Sequence, residues 1–236
     1  MTFLNYSDEL FKIPRGGIAR AAISYTTSFP ATEDPISEGG VWLKQTPNIA
    51  PGNHAGWHAV KTTAGGNAVA TANAGSAPPD YDDSYAYLAG NWSPNQKSEA
   101  TVYMGAGSNE LELLLRVSDT STEVEAYEVL VNCAGGCAFV RWNGPQDDFT
   151  ILAENGSGLT DPGGMSNGDR MKARIDGQTI TAWYSRAGTP TTWVLIGEYV
   201  DNAAAKLTAG APGIGFFARE SASIDYGFSH FTAREL

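Results

Sequence analysis

Three carboxylates fall within six residues of the stretch STEVEAYEVLVNCAGGCAFVRW, residues 121–142: Glu123, Glu125 and Glu128, in the order E-x-E-x-x-E. Carboxyl groups can cleave a glycosidic bond when two of them stand about 5–5.5 Å apart, one as nucleophile and one as proton donor. The same letters also spell a β-strand that runs into a tight turn and back. Side chains alternate along a strand, so Glu123 and Glu125 share one face and Glu128 takes the other. Only a β-bulge between Glu125 and Glu128 would gather all three. Tyr127, Val129 and Val131 make the core-facing set, which leaves Glu128 and Leu130 on the opposite face. The spacing therefore predicts a strand with solvated carboxylates, and catalysis by Glu123, Glu125 and Glu128 is the alternative.

Other residues invite chemistry. Cys133 and Cys137 flank Ala-Gly-Gly at a hairpin tip; directly paired positions of an antiparallel ladder lie close enough for a disulfide, and one is expected here in an oxidising compartment. Asp80, Asp82 and Asp83 in PPDYDDSY form the best oxygen cluster, and calcium wants several such ligands from a bent loop. The run H-A-G-W-H, residues 54–58, is no metal site, because Gly56 argues against the helix that would align its two histidines. No nucleophile elbow and no phosphate loop is present. Trp142, beside Arg141 and before the loop NGPQDD, is the leading candidate for an exposed sugar platform, with Trp183 and Trp57 as further candidates, since indole faces pack on the C–H faces of sugar rings.

The elements that must position these residues are strands. Gly, Pro, Tyr and Trp are abundant, at 27, 12, 10 and 6 residues of 236, and only 17% of residues are charged, which suits β structure. Short apolar or alternating runs cut by Gly, Pro, Asn and Asp recur along the chain, from AAISYTTSF through KSEATVYMG and ELELLLRVS to IDYGFSHFTA. LELLLRV is apolar nearly throughout, as in a strand covered on both sides. IDGQTI predicts a hairpin around Asp176-Gly177. Helical periodicity is confined to LNYSDELFKI and to VDNAAAKL at 200–207. Fourteen or fifteen antiparallel strands predict one all-β domain, two sheets packed as a sandwich or jelly roll, over 23–236. Residues 1–22 are read as an N-terminal arm or first strand.

The formal charge is −11, from 15 Lys+Arg against 26 Asp+Glu. A field of that sign disfavours nucleic acid and anionic membranes as partners and leaves neutral or weakly charged glycans open. No apolar run reaches the roughly 20 residues that span a bilayer, and no basic-then-apolar leader begins the sequence, so localisation stays open between the cell that makes the protein, a virion surface reached by assembly, and the exterior after processing.

Several runs, in order, carry a resemblance: YEVLV, FVRW, TILA, GDRMKARIDGQTI, PGIGFFA and YGFSHFTA, at 127–131, 139–142, 150–153, 168–180, 212–218 and 226–233. Their order and spacing resemble the concanavalin A-like lectin/glucanase superfamily, in its laminin-G-like jelly-roll branch, over about residues 23–234. One glucanase branch carries E-x-D-x-x-E on a strand of its concave sheet. Carried over, Glu123 would be nucleophile, Glu125 helper and Glu128 acid/base, with Glu in place of the middle Asp. Relatives often tie the terminal strands with calcium, which implies Asp225 as a partner of the Asp80–Asp83 cluster. The expected function is non-catalytic recognition, most of all carbohydrate binding, with no cofactor required and calcium as the candidate ion. A viral or phage surface component (decoration, fibre or tail) is the expected setting, with homo-oligomer or virion assembly as protein partner. A glycoside hydrolase or polysaccharide lyase and a purely structural subunit are the alternatives.

Overall fold

A computed structural model describes residues 20–46, 56–71, 82–105, 109–120, 122–145, 148–217 and 225–236. Residues 1–19 of the segment 1–22 read as an arm or first strand, and with them the helical turn expected in LNYSDELFKI, lie outside the described residues. The strands are β1 (Ser24–Thr27), β2 (Trp42–Leu43), β3 (Gly56–Thr62), β4 (Ala68–Ala70), β5 (Asp82–Leu88), β6 (Gln96–Met104), β7 (Glu110–Asp119) and β8 (Val124–Asn132). They continue with β9 (Cys137–Gly144), β10 (Phe149–Asn155), β11 (Gly158–Leu159), β12 (Arg170–Asp176), β13 (Thr179–Ser185), β14 (Val194–Val200), β15 (Ala211–Phe217) and β16 (Tyr226–Glu235).

They form two sheets joined by one shared strand. Sheet I runs β4-β16-β6-β12-β13-β14, with β1 also on β16. Sheet II runs β11-β10-β9-β8-β7-β15-β5, with β2 on β5. β3 belongs to both: Gly56–Ala59 pairs in parallel with β5, while Val60–Thr62 pairs with β4. This is the β-sandwich jelly roll that the strand pattern predicts, and among the described residues no helix is present.

Alternation decides what each strand buries. β6 and β12 alternate buried with partly exposed residues, so one row of each enters the core and the other faces outward. The layer between the sheets is aromatic: Phe29, Phe231 and Trp42 pack at one end, Phe216, Phe228 and Tyr226 near the other. Each such side chain contributes roughly 1.5–3 kcal/mol by leaving water. β7 is buried on both sides, as its apolar run predicts.

Two local expectations shift. The β12–β13 hairpin is present, but Asp176 pairs with Thr179, so the two-residue loop is Gly177-Gln178. Gly177 alone takes positive φ there, which is the pattern of a II′ turn. At 200–207 there is a loop in place of a helical turn, because Asp201 turns its side chain into the core and the Leu207 amide donates to the Tyr127 hydroxyl at 3.0 Å.

β7 carries a bulge between Leu115 and Ser118 that puts Arg116 in the left-handed region at φ 53. The cost of that backbone is offset by the side chain, whose guanidinium donates to the carbonyls of Pro94, Leu207 and Gly177. Gly210 is required beside it, since a Cβ there would meet the Arg116 carbonyl carbon at 2.3 Å.

Candidate functional site

The register of sheet II places one row of side chains from each strand on the face turned away from sheet I. On β7 and β8, Glu112 stands opposite Leu130 and Leu114 opposite Glu128. On β9 and β10 the row continues with Val140 opposite Glu128 and with Phe149 opposite Trp142. On the other side of β7 it passes through Gly215 and Phe217 of β15 to Asp83 and Tyr85 of β5, and ends at Trp57 of β3.

This face is a trough. Four strand steps separate β9 from β5, which in a flat sheet would be about 19 Å. Yet the rings of Trp142 on β9 and Tyr85 on β5 have centroids 6.2 Å apart, and Trp142 and Trp57 lie at 4.3 Å. Sheet II therefore curls until aromatic side chains from its two sides meet over part of the trough. The open remainder is a cleft of about 330 Å³. Asp83, Glu110 and Glu128 supply its acidic lining, and Leu130, Val140, Phe149 and Ile151 its apolar lining. Phe149 and Ile151 are each 51% exposed, large apolar groups presented to solvent at the cleft rim.

Glu112 lies beneath. It is 1% exposed, Glu128 is 5% exposed, and one carboxylate oxygen from each of Glu110, Glu112 and Glu128 lies within 4.8 Å of the other two. Glu128 accepts a hydrogen bond from Trp142 Nε1 at 2.6 Å. Neither oxygen of Glu112 has a hydrogen-bond partner. Burial drives the Glu112 pKa well above the usual carboxylate range, and the like charges of Glu128, Asp83 and Glu110 push the same way. Burial also raises Glu128, reinforced by Asp83 and Glu110 and opposed by the Trp142 hydrogen bond. Further along the trough, the Tyr85 hydroxyl donates to Asp119 at 2.6 Å, and Lys44 lies over the Tyr85 ring with its pKa lowered by burial to about 8.

The sequence-predicted residues divide between this trough and other places. Glu128 is in the trough, but buried rather than solvated, because the curl of sheet II covers a face that a flat strand would leave wet. β8 pairs with β9 from Val124 to Val131 without a register shift, so no bulge brings Glu125 round to Glu128; Glu123 precedes the strand and is exposed. Trp142 and Trp57 line the trough, though as a buried pair of rings tilted by 42° and not as an open platform. Arg141 points to the other side of β9, into a salt bridge with Asp201 at 2.8 Å. Trp183 is on sheet I, where Lys172 stands over its ring and over that of Trp193. Asp80 and the side chain of Asp82 lie outside the described residues. Asp83 faces the cleft, while Asp225, just before β16 of sheet I, accepts a hydrogen bond from the Tyr103 hydroxyl at 2.7 Å.

The expected disulfide is corrected: Cys133 and Cys137 are both free, buried thiols. The ladder pairs Cys137 with Val131, so Cys133 falls beyond the paired positions and its amide bonds instead to the carbonyl of Asn109 at 2.8 Å. Burial raises both thiol pKa values to about 11, which keeps them protonated and unreactive.

Glu110, Glu112, Phe149 and Ile151 escaped the sequence reading. Their signal was present: Glu110 and Glu112 are spaced to share a face within an otherwise apolar strand, and the F-T-I of β10 alternates outward.

No family model and no curated protein sequence matches this chain. Solved structures do. The exoplasmic/lumenal domain of VIP36, in its Ca2+/Man-bound form, is 9% identical with a TM-score of 0.54, covering 89% of each chain. A glycoside hydrolase family protein from Mycobacterium thermorestibile is 9% identical with a TM-score of 0.51, over 89% of this chain and 97% of that one. A Bacillus licheniformis β-glucanase is 10% identical with a TM-score of 0.48, over 90% and 94%. The fold is the lectin/glucanase-like jelly roll.

Proposed function

We propose that this chain is a non-catalytic carbohydrate-recognition module whose ligand lies in the trough of sheet II. The observation that carries the reading is the pairing, across one open cleft, of the carboxylates Asp83 and Glu110 with the exposed Phe149 and Ile151. Sugar hydroxyls donate well to carboxylates, and the C–H face of a pyranose packs on an aromatic ring. A cleft lined with acids suits neutral glycans and repels uronates and sulfates. Trp142 and Trp57 stiffen the floor. The likeness in fold to a domain solved with Man bound supports the same class of ligand. A virion surface element, assembled with further copies, remains the setting we propose on the sequence grounds given above.

The test is a glycan array with the purified domain, followed by calorimetry on the best binder. Phe149→Ala should weaken binding by about 1–3 kcal/mol with the fold intact. Unchanged affinity, or no glycan bound at all, removes the trough as a glycan site.

A second reading, glycoside hydrolysis, gains from the convergence of Glu110 and Glu128 with a raised pKa on Glu128. It would not use Glu123 and Glu125, which stand apart. Release of reducing ends from the bound glycan, lost in Glu128→Gln, would establish it in place of simple binding.

A further inference from the structure

We propose that Glu110, Glu112 and Glu128 form a calcium site in the floor of the trough, with Asp83 adding negative charge from the rim. The starting observation is Glu112. A buried carboxylate with neither oxygen hydrogen-bonded is costly, and among the described residues the charges that act on it, those of Glu128, Asp83 and Glu110, are of its own sign. A proton on Glu112 could be shared with a neighbouring carboxylate, but a single proton would neutralise only one of the three converging charges. A cation between the three carboxylates removes both difficulties together.

The geometry fits a large hard cation. Oxygens within 4.8 Å of one another can surround an ion at the 2.3–2.6 Å typical of calcium. Magnesium demands a near-ideal octahedron at 2.0–2.1 Å and gives up its waters reluctantly, so a buried all-carboxylate floor suits it less. An all-carboxylate set offers neither the imidazole nor the thiolate that zinc and copper prefer. Three side chains leave coordination positions open toward the cleft, for water or for ligand hydroxyls. The neighbouring strand leaves room for Glu112 itself: a Cβ on Gly215 would meet its Oε2 at 2.1 Å. These are not the residues, Asp80, Asp82, Asp83 and Asp225, that the sequence singled out for calcium.

Terbium(III) is the probe, since it replaces calcium and emits when excited through a nearby indole. Trp142, hydrogen-bonded to Glu128, is placed to act as the antenna. Terbium added to chelator-treated protein should give emission that saturates at a single ion per chain and that calcium displaces. Glu112→Gln and Glu128→Gln should each weaken that binding by at least about tenfold. Calcium should raise the unfolding temperature of the wild type and leave that of Glu112→Gln unchanged. No saturable emission from the wild type overturns the site, as does emission that survives in both Gln variants, which would come from the scattered acids of a strongly acidic surface. If one variant does not fold, the other and the wild-type calcium titration by calorimetry still decide. No sugar enters the experiment, so its failure leaves the glycan reading standing, and the failure of the glycan array leaves the calcium site standing.

Discussion

Sheet II buries polar groups on both of its faces, and the two clusters differ in kind. On the core side, Asp201 accepts hydrogen bonds from Tyr127 at 2.7 Å, from Arg141 at 2.8 Å and from the Ala203 amide at 2.9 Å, and Tyr127 in turn accepts from the Leu207 amide. One cation meets one anion, and the hydrogen bonds close around them. On the trough side, Glu110, Glu112 and Glu128 converge, the charges from described residues that act on Glu112 are of its own sign, and neither Glu112 oxygen has a hydrogen-bond partner. Tyr127 and Glu128 are adjacent in sequence, so the pleat alone sends one to each cluster. A closed, balanced network fixes a loop to a sheet. The open cluster faces the cleft, where the proposed cation would complete it.

The largest effect expected from breaking this contrast lies on the core side. Arg141→Met strands Asp201 in the interior and should cost about 3–5 kcal/mol, read from denaturant unfolding. On the trough side the sign reverses: in chelator, Glu112→Leu removes an unsatisfied acid and should raise stability by about 1–3 kcal/mol. A loss in chelator would show that Glu112 is already satisfied. The two sides also separate by pH. Burial alone would raise the Asp201 pKa, but the hydrogen bonds from Tyr127, Ala203 and Arg141 outweigh it and hold the group below the usual carboxylate range. A carboxyl depressed in the folded state contributes stability that is complete above its unfolded pKa, near 4, and is lost as pH falls through the folded value. Asp201→Asn should therefore flatten the acid limb of the stability profile, measured as unfolding midpoint against pH. The smallest effect belongs to Glu123→Gln, a change on an exposed side chain before the strand, which should alter stability by less than about 0.5 kcal/mol.

The same contrast explains what the sequence disclosed. Strand positions and the two-sheet architecture were legible because alternation and turn residues are local signals, read correctly from KSEATVYMG to YGFSHFTA. Glu128 was placed on the proper face for the same reason. Its burial was not legible, since it depends on the curl that brings β3 and β9 together, a property of six strands at once. Arg141 misled by standing next to Trp142: neighbours in a strand face apart, and the arginine served the core. The disulfide failed by a register offset, which is set by where the β8–β9 turn closes rather than by the spacing of two cysteines. Glu110 and Glu112 were passed over because an apolar run hides its own exceptions.

One feature of sheet I bears on how the chain is made. β16 lies inside that sheet, bonded along its length to β6, with β1 and β4 on its other side. Gln96 thus waits for Glu235, and Ser24 for Arg234. At a synthesis rate of about 5–20 residues per second, β6 leaves the ribosome several seconds before its neighbour exists. During that interval its β16-facing edge is bare, and pairing over such separations is slow even afterwards. Sheet II has less to wait for, because β7 through β10 pair in order as they emerge. Folding during synthesis should accordingly begin with the β7–β10 half of the trough, and a ribosome stalled before β16 should display that half while sheet I is still open to protease.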